Sequence, residues 1–178
     1  METLILTLFI CFTLPITSLG QVIKANSFVK ANKTTYSVIT LKKFAGEKYE
    51  FNSIFNKNNL FHGKNPKVGI NALLLDGKIP KKSFYIAFTQ TFTKERLQEL
   101  TKERIIYFTL FFNPEGKVVE VEFLILNNSS LTALELERLE TALKQYVVYN
   151  VGDVLSKGVD FFQDTYIVSY RGVLDNTL

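Results

Sequence analysis

Residues 105–126 read IIYFTLFF, NPEGK, VVEVEFLIL, and they decide the fold. Two runs rich in β-branched and aromatic residues, Ile105 to Phe112 and Lys117 to Leu126, flank Asn113-Pro114-Glu115-Gly116. Pro114 presets φ at the second turn position and Gly116 accepts a left-handed φ at the fourth, so the stretch predicts a β-hairpin. In its second strand Val119, Val121, Phe123 and Ile125 fall on one face and Glu120 and Glu122 on the other. One face is therefore buried and the other at least partly wet. The first strand is apolar throughout, which places it centrally in a sheet or under cover on both faces.

The hairpin runs into an amphipathic helix, Leu131 to Gln145. Thr132 and Glu135 form a capping box, and Leu131 and Leu136 stand at the two positions of a hydrophobic staple. Leu136, Leu139, Leu143 and Tyr146 make one apolar stripe, with Glu135, Glu137, Arg138 and Glu140 expected to face solvent. The segment Thr93 to Lys102 repeats part of this design 39 residues earlier, Phe92 and Leu97 matching the staple. A duplicated strand-helix unit and shared capping physics explain that offset equally well.

Upstream, Gln21 to Lys30 and Thr35 to Phe44 read as strands, and residues 52–67, rich in Asn and Lys and holding His62, read as a long exposed loop. Val68 to Leu75 and Ser83 to Thr91 read as strands joined by Asp76-Gly77-Lys78-Ile79-Pro80, where Pro80 lacks the donor a central strand needs. Downstream, Asp164 to Tyr170 is the last strand and Asp175 to Leu178 a frayed tail.

The N-terminus suggests export. An apolar run, Leu4 to Ile16, is too short to span a bilayer, and Ser18-Leu19-Gly20 puts small residues three and one positions before Gln21. The pattern predicts a signal peptide cleaved after Gly20. The positive n-region is missing, and an N-terminal membrane anchor is the alternative. The single cysteine, Cys11, lies inside this run without a lipobox before it, so the mature chain forms no disulfide and stability rests on packing. Residues 21–178 are read as one domain with sub-units 21–91 and 92–178.

Charge divides unevenly. Residues 21–90 carry twelve Lys against Glu47, Glu50 and Asp76, a balance of +9, whereas residues 91–178 balance at −4. Lys78, Lys81 and Lys82 are the densest cluster and the candidate contacts for an anionic partner. The lysines are otherwise scattered and lack the interleaved aromatics of nucleic-acid binders, so no nucleic acid is expected.

Chemistry is sparse. His62 is the only histidine and sits in the expected loop, where a surface role fits it best; nucleophilic catalysis thus lacks its usual base. Glu120 and Glu122 share a strand face and Asp160 and Asp164 lie close in sequence, but both pairs read as solvent-facing. No phosphate loop, metal-ligand spacing or dinucleotide fingerprint occurs, so neither cofactor nor metal is expected. Asn32-Lys33-Thr34 and the two overlapping sites at Asn127 and Asn128 match the glycosylation pattern, relevant only in a eukaryotic source.

Strand, Asn113-Pro114-Glu115-Gly116-Lys117-Val118, strand, then Leu131-Thr132 opening a helix with Leu139, Ala142 and Leu143 resembles the C-terminal domain of TonB-like periplasmic proteins. Small exported proteins of Bacteroidetes-type bacteria often show such a block. The resemblance covers residues 105–150 and implies a sheet with helices on one face that recruits partners by pairing strand edges. The tyrosine-proline start and the proline after the helix are absent, with Tyr146-Val147-Val148-Tyr149 in that place, and no proline-rich linker is present. An energy-transducing role is therefore not implied.

These readings converge on an α+β domain, a mostly antiparallel sheet with the helices Thr93 to Lys102 and Thr132 to Gln145 packed on one face. The function expected is non-catalytic binding, in the periplasm or outside the cell, to a protein or an envelope polymer, with membrane association left open. The rival readings are an inhibitor or immunity protein against a secreted toxin or hydrolase, and a small carboxylate-dependent hydrolase whose acids would have to converge in a cleft.

Overall fold

The computed structural model describes residues 21, 23–41, 50–64, 81–150 and 160–178. Among them, six strands form one antiparallel sheet: β1 (Ser27–Lys30), β2 (Thr35–Leu41), β3 (Phe51–Asn56), β4 (Ile105–Phe112), β5 (Val118–Leu126) and β6 (Phe162–Ser169). Their spatial order is β1-β2-β3-β5-β4-β6. Four helices accompany them: α1 (Lys81–Thr91), α2 (Lys94–Leu100), α3 (Ala133–Tyr146) and α4 (Tyr170–Leu174). The fold is α+β, as expected. Because β3 pairs with β5, the basic and acidic halves share one sheet.

The hairpin is present as read. β4 lies between β5 and β6, so its apolar run is explained from both sides. Ile106, Phe108, Leu110 and Phe112 enter the main core, while Phe111 packs on the opposite face against Phe61 and Phe161. Register slips between Phe111 and Phe112, which face Glu120 and Val118 respectively, leaving Val119 as an extra residue. The helix side of the sheet contributes Val38, Ile54, Phe123 and Ile125, and α3 covers it with Leu136, Leu139 and Leu143. The capping box is formed: Thr132 Oγ1 accepts from the Glu135 amide, and the Glu135 carboxylate accepts from the Thr132 amide.

Four expectations are corrected. Ser83 to Thr91 is not a strand but most of α1. Its Phe, Tyr, Ile and Thr content carries strong β preference, yet the buried residues Phe84, Ala87 and Phe88 recur at helical spacing, and burial of that stripe against α3 outweighs local preference. Thr89 and Thr91 adapt to the helix by donating their hydroxyls to the carbonyls of Tyr85 and Ala87.

The expected loop over 52–67 begins with β3 instead. Asn52 is buried within the sheet and accepts a hydrogen bond from Thr40 Oγ1 at 2.8 Å, so this asparagine is a satisfied core residue and not a turn former. Among the described residues of that stretch, 57–64 are irregular.

The acidic residues of α3 do not simply face solvent. Glu135 closes the cap, Glu137 holds a turn, and Glu140 is buried, accepting from Tyr36 at 2.6 Å and Lys144 at 2.7 Å. Burial, then the Glu140 carboxylate, keep the Tyr36 hydroxyl protonated. Arg138 alone among the four is exposed.

The tail is not frayed. Asn176 turns to φ 53° and its amide reaches the Val173 carbonyl, while the Thr177 amide reaches that of Gly172. That pair of bonds terminates α4 in a Schellman motif, which packs Leu178 onto the core. Val68 to Leu75 lies outside the described residues.

Candidate functional site

The outer end of the sheet is the most receptive feature. β6 is eight residues long, pairs with β4 on its inner side, and among the described residues has no strand on its outer side. A strand so placed presents N–H and C=O groups without a strand partner, the template for adding another strand, although the Thr165 amide already donates to the Asp164 carboxylate at 2.8 Å. Ile167 is 61 % exposed on it, although β-branched residues of this size are ordinarily covered.

Against β6 opens a groove of about 580 Å³ whose lining includes Lys81, Phe84, Tyr166, Val168 and Leu178. Phe84 comes from α1 and packs at a tilt against Tyr166, with ring centroids 5.0 Å apart. Leu178 is positioned by the Schellman turn. The Tyr166 hydroxyl is buried, and among the described residues no group meets it within the distance and angle limits of a hydrogen bond. Burial, and then looser hydrogen bonding and charge from the neighbouring Asp164 carboxylate, hold it well above the ordinary tyrosine range, so it stays protonated. A second cavity of about 340 Å³ continues past Lys81 and Leu178 to Lys82 and Tyr85.

The candidate lysines are thereby placed in part. Lys81 and Lys82 are exposed in the first turn of α1, make no ion pair among the described residues, and line these two cavities. They were expected in a turn between strands; they stand instead at the positive end of a helix that carries no acid in its first turn. Lys78 lies outside the described residues.

The carboxylates that sequence spacing paired are separated by environment. Glu120 meets Lys144, which also holds Glu140, and its burial raises the carboxyl's pKa against the pull of that lysine. Glu122 meets His62 Nδ1 at 2.8 Å, and the imidazole lies flat on Phe55 at 3.6 Å between centroids. His62 is exposed as expected, but it pins residues 57–64 over the second face of the sheet. Asp164 is exposed and lines the β6 groove. Among the described residues no three of His, Cys, Asp and Glu converge to hold a metal ion.

Two arrangements escaped sequence reasoning. The Arg96 guanidinium grips the Glu135 carboxylate through Nε at 2.6 Å and Nη2 at 3.2 Å, and Nη2 also donates to the Ser130 carbonyl. The signal was the 39-residue offset itself: Arg96 and Glu135 occupy equivalent third positions after the caps Thr93 and Thr132. The Glu137 carboxylate, meanwhile, accepts from the backbone amides of Asn32, Lys33 and Thr34 at 3.1, 2.7 and 2.6 Å. Nothing local to residue 137 announces a partner 103 to 105 positions away.

No family model matches the chain, and no curated protein matches it in sequence. Among solved structures, its fold is similar to that of a DUF5043 family protein from Bacteroides uniformis, with a TM-score of 0.64 and 16 % identity over 82 % of this chain and 86 % of that one. At that identity the likeness establishes the fold alone.

Proposed function

We propose that this chain is an exported, non-catalytic binding protein of the bacterial envelope that takes an extended segment of a partner protein along the outer edge of β6. The observation that carries the reading is the eight-residue terminal strand with no outer neighbour among the described residues, set beside a groove lined by Phe84, Tyr166 and Leu178. An added strand would pair with the β6 edge through its backbone and seat an apolar side chain between Phe84, Tyr166 and Leu178. Lys81 and Lys82 at the rim favour an acidic residue flanking that side chain. Export rests on Leu4 to Ile16 followed by Ser18-Leu19-Gly20, and partner recruitment by strand edges is what the resemblance of residues 105–150 to TonB-like domains implies.

The test is a photo-crosslinking amino acid placed at residue 167 in the exported protein, with residue 98 on α2 as control. Adducts of discrete mass at 167 that are absent at 98 support the reading. No adduct at 167, or the same adducts at both positions, overturns it. Mass spectrometry of the product should find Gln21 at the N-terminus, and an intact Met1 on a membrane-retained form would refute export by cleavage.

A further inference from the structure

A second groove, on the helix side and away from β6, has a different character. It measures about 410 Å³ and lies where the β1–β2 turn meets α1 and α3. Its wall is fixed, because the three amides of residues 32–34 all point into the Glu137 carboxylate. Three such bonds to one charged acceptor hold the turn against α3. Those three donors direct the acid's negative charge toward the turn's backbone.

The rim is built the opposite way. Asn32, Lys33, Gln90, Arg138 and Gln145 all line this groove, all are exposed, and among the described residues none of their side chains makes a hydrogen bond or an ion pair. On the same side of the sheet Arg96 is engaged with Glu135 and Lys144 with Glu140. Three carboxamides and two cations thus surround one concavity with their donors and acceptors free. Leu134, Ala142 and the half-buried ring of Tyr146 give the lining an apolar element.

We infer that this groove is a binding site for an acidic sugar unit of a polysaccharide. A pyranose has an apolar face that an aromatic ring can meet, and a circuit of hydroxyls that both donate and accept, which is what carboxamides match and lysine or arginine alone cannot. A carboxylate on the sugar answers the two unpaired cations, Lys33 and Arg138. A protein segment is the weaker fit, since the groove is ringed by unpaired polar side chains and flanked by helices that offer no strand edge. The site is independent of the β6 edge.

The test is isothermal titration of the chain with a short oligogalacturonate and, as neutral control, an oligogalactan of equal length. The expected result is binding of the acidic oligomer at least about tenfold tighter than the neutral one, weakening as salt rises. Lys33→Gln with Arg138→Gln should remove that preference, Gln90→Ala with Gln145→Ala should weaken both oligomers, and Ile167→Lys should change neither. Circular dichroism checks that each variant is folded, which these exposed positions permit. Absence of binding to the acidic oligomer overturns the inference. So does an equal loss from Lys81→Gln with Lys82→Gln, which would reduce the effect to general attraction by a basic surface.

Discussion

Glu137 shows how far a single side chain can depart from the role its helical position suggests. On the helical wheel it belongs to the polar side of α3, where truncation would be expected to cost within about 0.5 kcal/mol. With three backbone amides on its carboxylate, Glu137→Ala should instead cost about 1–3 kcal/mol, measured by chemical denaturation. Leu139→Ala, by comparison, removes a side chain of zero exposure and should cost about 2–5 kcal/mol through lost burial and a cavity. Partial burial of Glu137 would raise its pKa, but the amide bonds from Lys33, Thr34 and Asn32 together win and leave it below the usual carboxylate range. The stability it contributes is therefore present at neutral pH, and it is lost as pH falls through about 4 towards the lower folded value. The gap between the native chain and Glu137→Gln should be widest at neutral pH and narrow on acidification. A gap that stays constant down to pH 3 would contradict this account of the carboxylate. Glu120 acts in the opposite sense, its pKa raised by burial, which is why the comparison is made at one site.

At the scale of the element, α1 separates composition from periodicity. Read as a strand, Phe84, Ile86 and Phe88 would share one face; in the helix Phe84 and Phe88 are buried with Ala87, and Ile86 stands aside, half-buried. Phe88→Ala should therefore cost about 3–5 kcal/mol and Ile86→Ala less than about 1.5 kcal/mol, a contrast that equal losses in urea unfolding would refute. The hairpin and α3 were legible because turn chemistry, alternation and capping residues all act within a few positions and agree. β3 and α1 were less legible because long-range burial decided them: Asn52 is satisfied by Thr40, and the stripe of α1 by α3. The apparent repeat between α2 and α3 also acquires a physical reading, since the third residues after the two caps, Arg96 and Glu135, bind each other and join the helix starts. Lys81 and Lys82 place like charges at the positive end of α1, so Lys81→Gln with Lys82→Gln should leave thermal stability unchanged or raise it slightly, by about 0.3–1 kcal/mol per residue at low salt. A marked loss would mean that these side chains have partners within the fold.

At the scale of the molecule, helices cover one side of the sheet, and among the described residues the other side is covered only in part. The second face holds Phe55, Phe111 and Phe161 beneath residues 57–64, while Phe28 and Ile39 remain exposed at 64 % and 42 %. Lys57 partly shields Phe28, its ammonium 5.3 Å from the ring centre. The uneven charge of the two halves, visible in the sequence, becomes a surface on which the described lysines of residues 21–90 are all exposed and without ion pairs, whereas the cations Arg96 and Lys144 are engaged with acids. Which concavities those free lysines would border was not legible, because it depends on how α1 crosses beneath the β6 edge and how the β1–β2 turn meets α3. The claim on which the functional reading rests is that the outer edge of β6 is open in the free chain, and amide hydrogen exchange resolved by residue tests it directly. The account predicts alternation along Phe162–Ser169, inward amides bonded to β4 exchanging slowly and outward amides exchanging orders of magnitude faster than those of β5, which is paired on both sides. Uniform protection of β6 at the level of β5 would mean that the chain already covers this edge itself, and would contradict the account.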